Sequence, residues 1–274
     1  MHEVAKKIIQ FILKWCSKIY LWRTKAHTIV IAGTTGRHWI KETVVEELEE
    51  KGFSARANTK NFNAEIGLPL SILDLPSGEG NLFRWLKTLW QAVKKVLVTR
   101  HQAAGEYLVL EMAIDRPDNM KYLLSIVKPK TAVFTTVTMI YRENFENLDG
   151  IFLEYKKLIK SLPWNGLAIL NFDDERIRNL AQFSHSRVIT YGFDEGADFR
   201  VRNFKKVADG QQLKFQINHP KKILEVKINR FGNHHIYAAL VKEIIKENYR
   251  MPTADFFSQM YADSQKLTPL IPRK

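Results

Sequence analysis

Six consecutive residues, Gly33-Thr34-Thr35-Gly36-Arg37-His38, combine backbone that can approach an anion closely with cationic side chains. They follow the β-branched run Thr28-Ile29-Val30-Ile31 and precede a helical pattern that opens with Trp39-Ile40-Lys41-Glu42. A strand that stops at a Gly-rich turn and re-enters as a helix points N–H groups at whatever occupies the turn, with the positive end of the helix dipole behind them. A phosphate suits that place. The Walker consensus G-x-x-x-x-G-K-[ST] is not met, because Arg37 and His38 follow Gly36 and no glycine stands five residues before it. By itself the turn reads either as a phosphate cradle or as an ordinary strand-to-helix connection.

Carboxylates and amides fall at comparable places. Tyr107 to Met112 is a buried-type strand carrying Glu111 near its end, and Leu167 to Asn171 runs into Asp173-Asp174. In open parallel sheets ligands sit outside the carboxyl ends of strands, so Glu111 is expected at the same edge as Gly33 to Gly36. His234-His235 is adjacent rather than spaced i,i+4, which argues against a two-histidine metal face on a helix. No G-x-S-x-G elbow is present and the sole cysteine, Cys16, has no evident partner, so nucleophilic catalysis has little support and no catalytic residue is assigned.

The elements that must hold these residues alternate. After the turn, Val44, Val45 and Leu48 continue one helix face to a stop at Gly52; Phe53 to Ala57 is a short strand, and Asn58 to Ile66 a polar loop. Leu82 to Val98, Asn119 to Val127, Phe145 to Ser161 and Glu175 to Phe183 read as helices, and Thr131 to Val137 as a further strand. This predicts right-handed βαβ units and an α/β fold: a P-loop-type, mostly parallel sheet with flanking helices. Val188 to Ile228 changes to short alternating runs with turns at Asp209-Gly210 and His219-Pro220, a small antiparallel edge, before a last helix at Ile236 to Lys246.

Composition sets the class. Hydrophobic residues at 45% and charged at 26% in 274 residues describe a globular chain with a sizeable core. Lys+Arg 42 against Asp+Glu 29 gives +13, which invites nucleic acid, an acidic membrane surface or anionic substrates, besides the plain reading of a solvated basic surface. The basic residues are dispersed and no reader motif stands among them, which argues against nucleic acid. One cysteine excludes an internal disulfide and suits a reducing cytoplasm. At the amino terminus Ile8, Ile12, Trp15, Ile19 and Trp22 recur at helical spacing among Lys7, Lys14, Lys18 and Arg23. This basic amphipathic helix (residues 1–25) is expected to dock on the domain that follows; the sharper alternative is contact with a membrane surface through Trp15 and Trp22.

Several stretches, in order, resemble the central ATP-binding domain of the Mur ligases, closest to the branch that adds D-alanyl-D-alanine. Asn61-Phe62-Asn63-Ala64-Glu65-Ile66-Gly67-Leu68-Pro69-Leu70 is similar to that branch's N-x-N-x-E-I-G-x-P-L. Leu110-Glu111-Met112-Ala113-Ile114-Asp115-Arg116-Pro117 is similar to L-E-[LM]-G-x-[ND]-R-P, Leu170-Asn171-Phe172-Asp173-Asp174 to L-N-x-D-D, and Gly232-Asn233-His234-His235-Ile236-Tyr237-Ala238-Ala239-Leu240 to G-x-H-N-x-x-N-A-L. The resemblance implies an ATP-dependent ligase that joins a carboxylate to an amine through an acyl phosphate, acting on a UDP-muramoyl peptide in peptidoglycan precursor synthesis. Such chemistry depends on positioning and charge neutralisation more than on a protein nucleophile.

Carried over by position, Gly33, Thr34, Thr35, Gly36, Arg37 and His38 would cradle phosphate, Asn171, Asp174, His234 and His235 would belong to the nucleotide site, Glu111 would bind Mg2+, and Asn61, Asn63 and Glu65 would lie near the substrate. Arg37-His38 stands where the family has Lys followed by Thr or Ser, so Arg37 could hold phosphate while no hydroxyl follows it. The family's metal- or phosphate-facing histidine falls on Tyr141, and its carbamylated lysine on Tyr155, with Lys156 adjacent. The resemblance divides the chain into the helix, a central domain over 26–250 and a linker over 251–274 toward an absent carboxyl-terminal domain, which a partner chain would then supply. The alternative is a non-catalytic nucleotide- or partner-binding module derived from that fold.

Overall fold

The computed structural model describes residues 3–58, 64–99, 106–139, 144–218 and 221–249. Asn61, Asn63, Tyr141, the turn at His219-Pro220 and the proposed linker over 251–274 lie outside them. The elements run α1 (Glu3–Thr24), β1 (His27–Ala32), α2 (Arg37–Glu50), β2 (Ala55–Ala57), α3 (Ala64–Leu73), α4 (Leu82–Val98), β3 (Tyr107–Met112), α5 (Asn119–Leu124), β4 (Thr131–Phe134), α6 (Leu148–Ser161), β5 (Leu167–Asn171), α7 (Glu175–Asn179), β6 (Arg187–Gly192), β7 (Phe199–Val207), β8 (Gly210–Asn218), β9 (Lys221–Ile228) and α8 (Asn233–Asn248). The strands form one nine-stranded sheet in the order β2-β3-β1-β4-β5-β6-β7-β8-β9.

Pairing is parallel from β2 through β7 and antiparallel from β7 through β9. The antiparallel region is thus smaller than the sequence pattern indicates, because β6 pairs in parallel with β5 over Leu167↔Arg187 to Asn171↔Tyr191. Successive side chains of a strand face opposite ways, and the two cores follow from that. Val30, Ala32, Leu108, Leu110 and Phe134 pack with α1 and α3 to α6. Ile29, Ile31, Val109, Val133 and Ile169 pack with α2 and α8 on the other face. Both faces of the central strands are covered, which is why these strands read as continuous apolar runs.

Two elements depart from the sequence reading. The stretch around Glu65 to Leu70 is helix α3, not loop, although Gly67 and Pro69 lie inside it. Proline leaves the carbonyl four residues earlier without its N–H; here that carbonyl belongs to Glu65, and the Tyr122 hydroxyl donates to it at 3.1 Å. Burial raises the Tyr122 phenol to about 12, so it stays protonated and able to donate. Helix α1 docks, as expected, but through Ile9, Leu13, Cys16 and Tyr20. Ile8, Trp15, Ile19 and Trp22, the stripe expected to be buried, are exposed, and of the expected set only Ile12 packs against the core.

Candidate functional site

The carboxyl ends of β1, β4 and β5 open onto a cleft of about 320 Å³ whose walls include Thr35, Gly36 and Trp39 from the turn and α2, Thr135 and Thr136 after β4, and Asn171 at the end of β5. Ile40 on α2, Tyr191 on β6 and His234 and Tyr237 on α8 complete it. This is where an open parallel sheet places a ligand, and the volume falls at the lower end of the ~300–1,000 Å³ of ligand pockets.

Local chemistry explains the shape of the turn. Gly33 (φ +128) lies against β4's continuation, and a Cβ there would meet Thr135 Oγ1 at 1.9 Å. The Thr34 N–H and hydroxyl both donate to the Thr136 carbonyl, at 2.8 and 2.9 Å, and the Thr34 hydroxyl accepts from Thr138 N–H at 2.8 Å. Thr34 is therefore a stitch that holds the turn to the neighbouring strand end. Gly36 (φ +77) is the left-handed residue before α2, and a Cβ built on it meets nothing within 4 Å. That side of the turn is open to the cleft.

Below the turn sits a charge cluster. Lys41 Nζ lies 2.9 Å from Glu111 Oε1 and donates to the Asn58 carbonyl at 2.8 Å, and Arg37 Nε lies 3.6 Å from Glu111 Oε2. The guanidinium of Arg37 also turns back to donate to the Gly33 carbonyl. Side-chain exposures of 16% for Arg37, 7% for Lys41 and 6% for Glu111 make this a nearly dry triad. Its donor set does not fit a protein-held Mg2+. The one carboxylate faces two cations, and no hydroxyl side chain follows Arg37.

The far wall is polar and fixed. Asp173 accepts from the N–H groups of Phe193 and Asp194 at 2.8 and 2.9 Å and from the Tyr237 hydroxyl at 2.8 Å. Burial, reinforced by the Asp173 charge, pushes the Tyr237 phenol well above its ordinary value, so it remains protonated. Asn171 is buried and accepts from the Asp173 N–H at 3.1 Å. Trp39 stacks on His234 (5.7 Å between ring centres), meets His235 edge-on at 4.4 Å and carries the Arg230 guanidinium over its ring at 4.9 Å.

Of the residues singled out from the sequence, Thr35, Gly36, Asn171 and His234 come together at the cleft, with Arg37 and Glu111 joined beneath the turn. Gly33 and Thr34 shape the turn and His235 packs on Trp39, whereas His38, Asp174, Glu65 and Tyr155 do not line the cleft. His38 is half exposed and pairs with Glu42 at 3.1 Å. Asp174 caps α7 through Ile177 N–H (3.0 Å) and holds Val137 N–H (2.7 Å). Glu65 is tied to Gln10 (2.7 Å) and Arg116 (3.6 Å) beside α1. Tyr155 is buried against Phe134, and Lys156 lies over the Phe183 ring. Sequence reasoning missed Lys41, Trp39, Thr135, Thr136, Tyr191 and Tyr237. A signal existed for two of them: Lys41 follows Arg37, and Tyr237 follows His234, at spacings that share a helix face.

His235 supplies a test of this wall. Burial, then the charges of His234 and Arg230, hold its imidazole below the ordinary histidine value. The folded protein thus binds this proton less readily than the unfolded chain, so its contribution to stability is complete above about pH 6.5 and falls as pH drops below that value. In an NMR titration His235 should titrate below a free histidine, and Arg230→Ala should move it upward; an unmoved midpoint would contradict the geometry.

Comparisons with known proteins agree with this architecture. The Mur ligase middle domain family matches residues 91–242, more than half of the chain. The UDP-N-acetylmuramoyl-tripeptide--D-alanyl-D-alanine ligase of Haemophilus influenzae is 21% identical over 248 residues, covering 89% of this chain and 48% of that protein. The UDP-N-acetylmuramate--L-alanine ligase of Desulforapulum autotrophicum is 27% identical over 149 residues, covering 54% and 31%. The crystal structure of MurF ligase from Thermotoga maritima in complex with ADP superposes with a TM-score of 0.68 at 21% identity, covering 87% of this chain and 49% of that one. The structural likeness speaks for the fold, and the chain spans about half the length, or less, of these relatives.

Proposed function

Because the chain belongs to the Mur ligase middle-domain family, we propose that its strand-end cleft binds an adenine nucleotide, as the nucleotide-holding part of an ATP-dependent ligase that joins a carboxylate to an amine. The carboxylate substrate in this reading is a UDP-muramoyl peptide, the product a peptidoglycan precursor, and the compartment the cytoplasm. The observation that carries it is the open wall at Gly36, facing fixed donors and acceptors at Asn171 and Tyr237 across a cleft large enough for a ligand. The T. maritima relative, whose crystal structure contains ADP, supports the same choice.

The chain's own groups divide the work. N–H groups at the start of α2 meet the phosphates, with Arg37 and Lys41 supplying positive charge behind them. Asn171 and the Tyr237 hydroxyl orient the nucleoside, and the Trp39–His234 stack offers it an apolar face. A second reading rests on the charge triad: with Glu111 held by Arg37 and Lys41, the site keeps a nucleotide without turning it over.

Gly36→Asp tests the assignment, since aspartate tolerates the left-handed conformation and would place a carboxylate at the open wall. Isothermal titration with ATP should show saturable binding to the wild type, weakened roughly tenfold or more by the repulsion in G36D and little changed in Gly36→Asn. Equal affinities in the two variants, or no binding to the wild type at millimolar ATP, would overturn the reading.

A further inference from the structure

We propose that α1 and α4 form a platform that seats the protein on an anionic lipid surface, an inference independent of the nucleotide reading. Helix α1 uses one stripe to enter the core and leaves a second free: Val4, Ile8, Phe11, Trp15, Ile19 and Trp22 are all exposed, at intervals of three and four residues. Helix α4 repeats the arrangement, with Trp85, Thr88, Ala92 and Val96 inward and Leu82, Phe83, Leu86, Trp90, Val93 and Leu97 outward. Trp22 at 77%, Phe83 at 82% and Leu97 at 69% exposure are nearly as open as in an unfolded chain. The helices are packed neighbours, joined where Arg23 donates to the Val96 carbonyl at 2.8 Å and Lys95 lies over the Tyr20 ring. Two adjacent stripes of this kind exceed the scattered apolar residues of an ordinary surface.

Charge selects the occupant. The two helices carry nine basic residues and one acidic residue, Glu3. Lys18 and Lys94 lie alongside the exposed rings of Trp15 and Trp90, at 4.7 and 5.1 Å. Aromatic rings with lysines beside them match an interface in which the rings enter the headgroup region and the ammonium groups meet lipid phosphate. A second copy of this face would set like charges opposite one another across a two-fold axis. Among the described residues no helix is long and apolar enough to cross a membrane, and α1 is pinned to the core by its inner stripe, so the helices lie on the surface. The platform covers the sheet face opposite α2 and α8, which leaves the side with the cleft's helices turned away from lipid.

The test is sedimentation of the full chain with phosphatidylcholine vesicles, with and without about one-third phosphatidylserine. The chain should pellet with the anionic vesicles, with a blue shift of tryptophan emission, and bind pure phosphatidylcholine roughly tenfold more weakly or less. Because these side chains are exposed, the triple variant W22S/F83S/W90S should keep its fold and circular dichroism and lose that binding, as should the charge variant K7E/K87E/K94E. Failure of the wild type to pellet with anionic vesicles overturns the proposal. So does undiminished binding by folded W22S/F83S/W90S, or a lipid-free dimer that those substitutions dissolve, which would assign the face to a second copy.

Discussion

Replacing Glu111 by glutamine should tighten nucleotide binding in the presence of EDTA while lowering the thermal midpoint of the ligand-free protein. Glu111 neutralises Lys41 at 2.9 Å and Arg37 at 3.6 Å, and all three are nearly excluded from water. Removing one partner of such a buried group leaves uncompensated charge, at a cost of about 3–5 kcal/mol; glutamine keeps the shape and one acceptor, which places E111Q near the lower figure. At roughly 2–4 °C per kcal/mol for a chain of this size, the midpoint should fall by about 6–12 °C in differential scanning fluorimetry. The same change releases two cations beneath the turn, where a phosphate would meet them, so affinity for ADP should rise about tenfold, equivalent to about 1.4 kcal/mol. A carboxylate that served as a metal ligand would behave oppositely. Affinity measured with Mg2+ would drop on substitution, and affinity in EDTA would not change. A fall in EDTA affinity would remove the triad from the phosphate site altogether.

The parts of the fold legible in the sequence are those where one local pattern decides the outcome. β1, β3 and β5 are covered on both faces, so each appears as an unbroken apolar run ended by a turn or a polar residue. Helix α3 was hidden because Gly67 and Pro69 are local breakers, and the group that compensates, the Tyr122 hydroxyl, arrives from 57 residues away. The periodicity of α1 was plain, but its more apolar stripe is the exposed one. A reading in which apolar means buried chooses the wrong side wherever a surface is shaped for another partner.

The site divides in the same way. Gly36 and Asn171 stand at the junctions of strand with turn or helix, where position alone implies the cleft. Lys41 and Tyr237 sit inside helices, and only the tertiary arrangement shows that one faces Glu111 and the other Asp173. Asp173 and Asp174 are indistinguishable as a pair in sequence. In the structure the first accepts from β6's outgoing backbone and from Tyr237, and the second spends both oxygens on capping α7 and holding Val137.

At Gly33 alanine should cost the fold rather than the ligand. The backbone there has φ +128, a region that L residues rarely adopt, and the new Cβ would lie 1.9 Å from Thr135 Oγ1, 3.0 Å from Thr135 Cβ and 3.1 Å from Thr135 N. Thr135 cannot retreat freely, because its N–H donates to the Ala32 carbonyl at 2.9 Å and its neighbour Thr136 holds Thr34. Backbone strain of about 1–3 kcal/mol adds to an overpacking cost of similar size, together a large fraction of the ~5–15 kcal/mol that keeps a domain folded. Gly36→Ala, in the same turn, adopts φ +77 with nothing within 4 Å and should cost only about 1–2 kcal/mol. Urea denaturation of the two variants measures the contrast directly. In the G33A background, Thr135→Ala should recover part of the loss by removing the nearest clashing atom. If G33A unfolded at the same urea concentration as G36A, the close contact between the turn and β4's continuation would be wrong. The two glycines of one short turn thus serve different ends. Gly33 lets the chain lie against the neighbouring strand, and Gly36 keeps the opposite wall open, so only substitutions at Gly36 can report on a ligand without first reporting on folding.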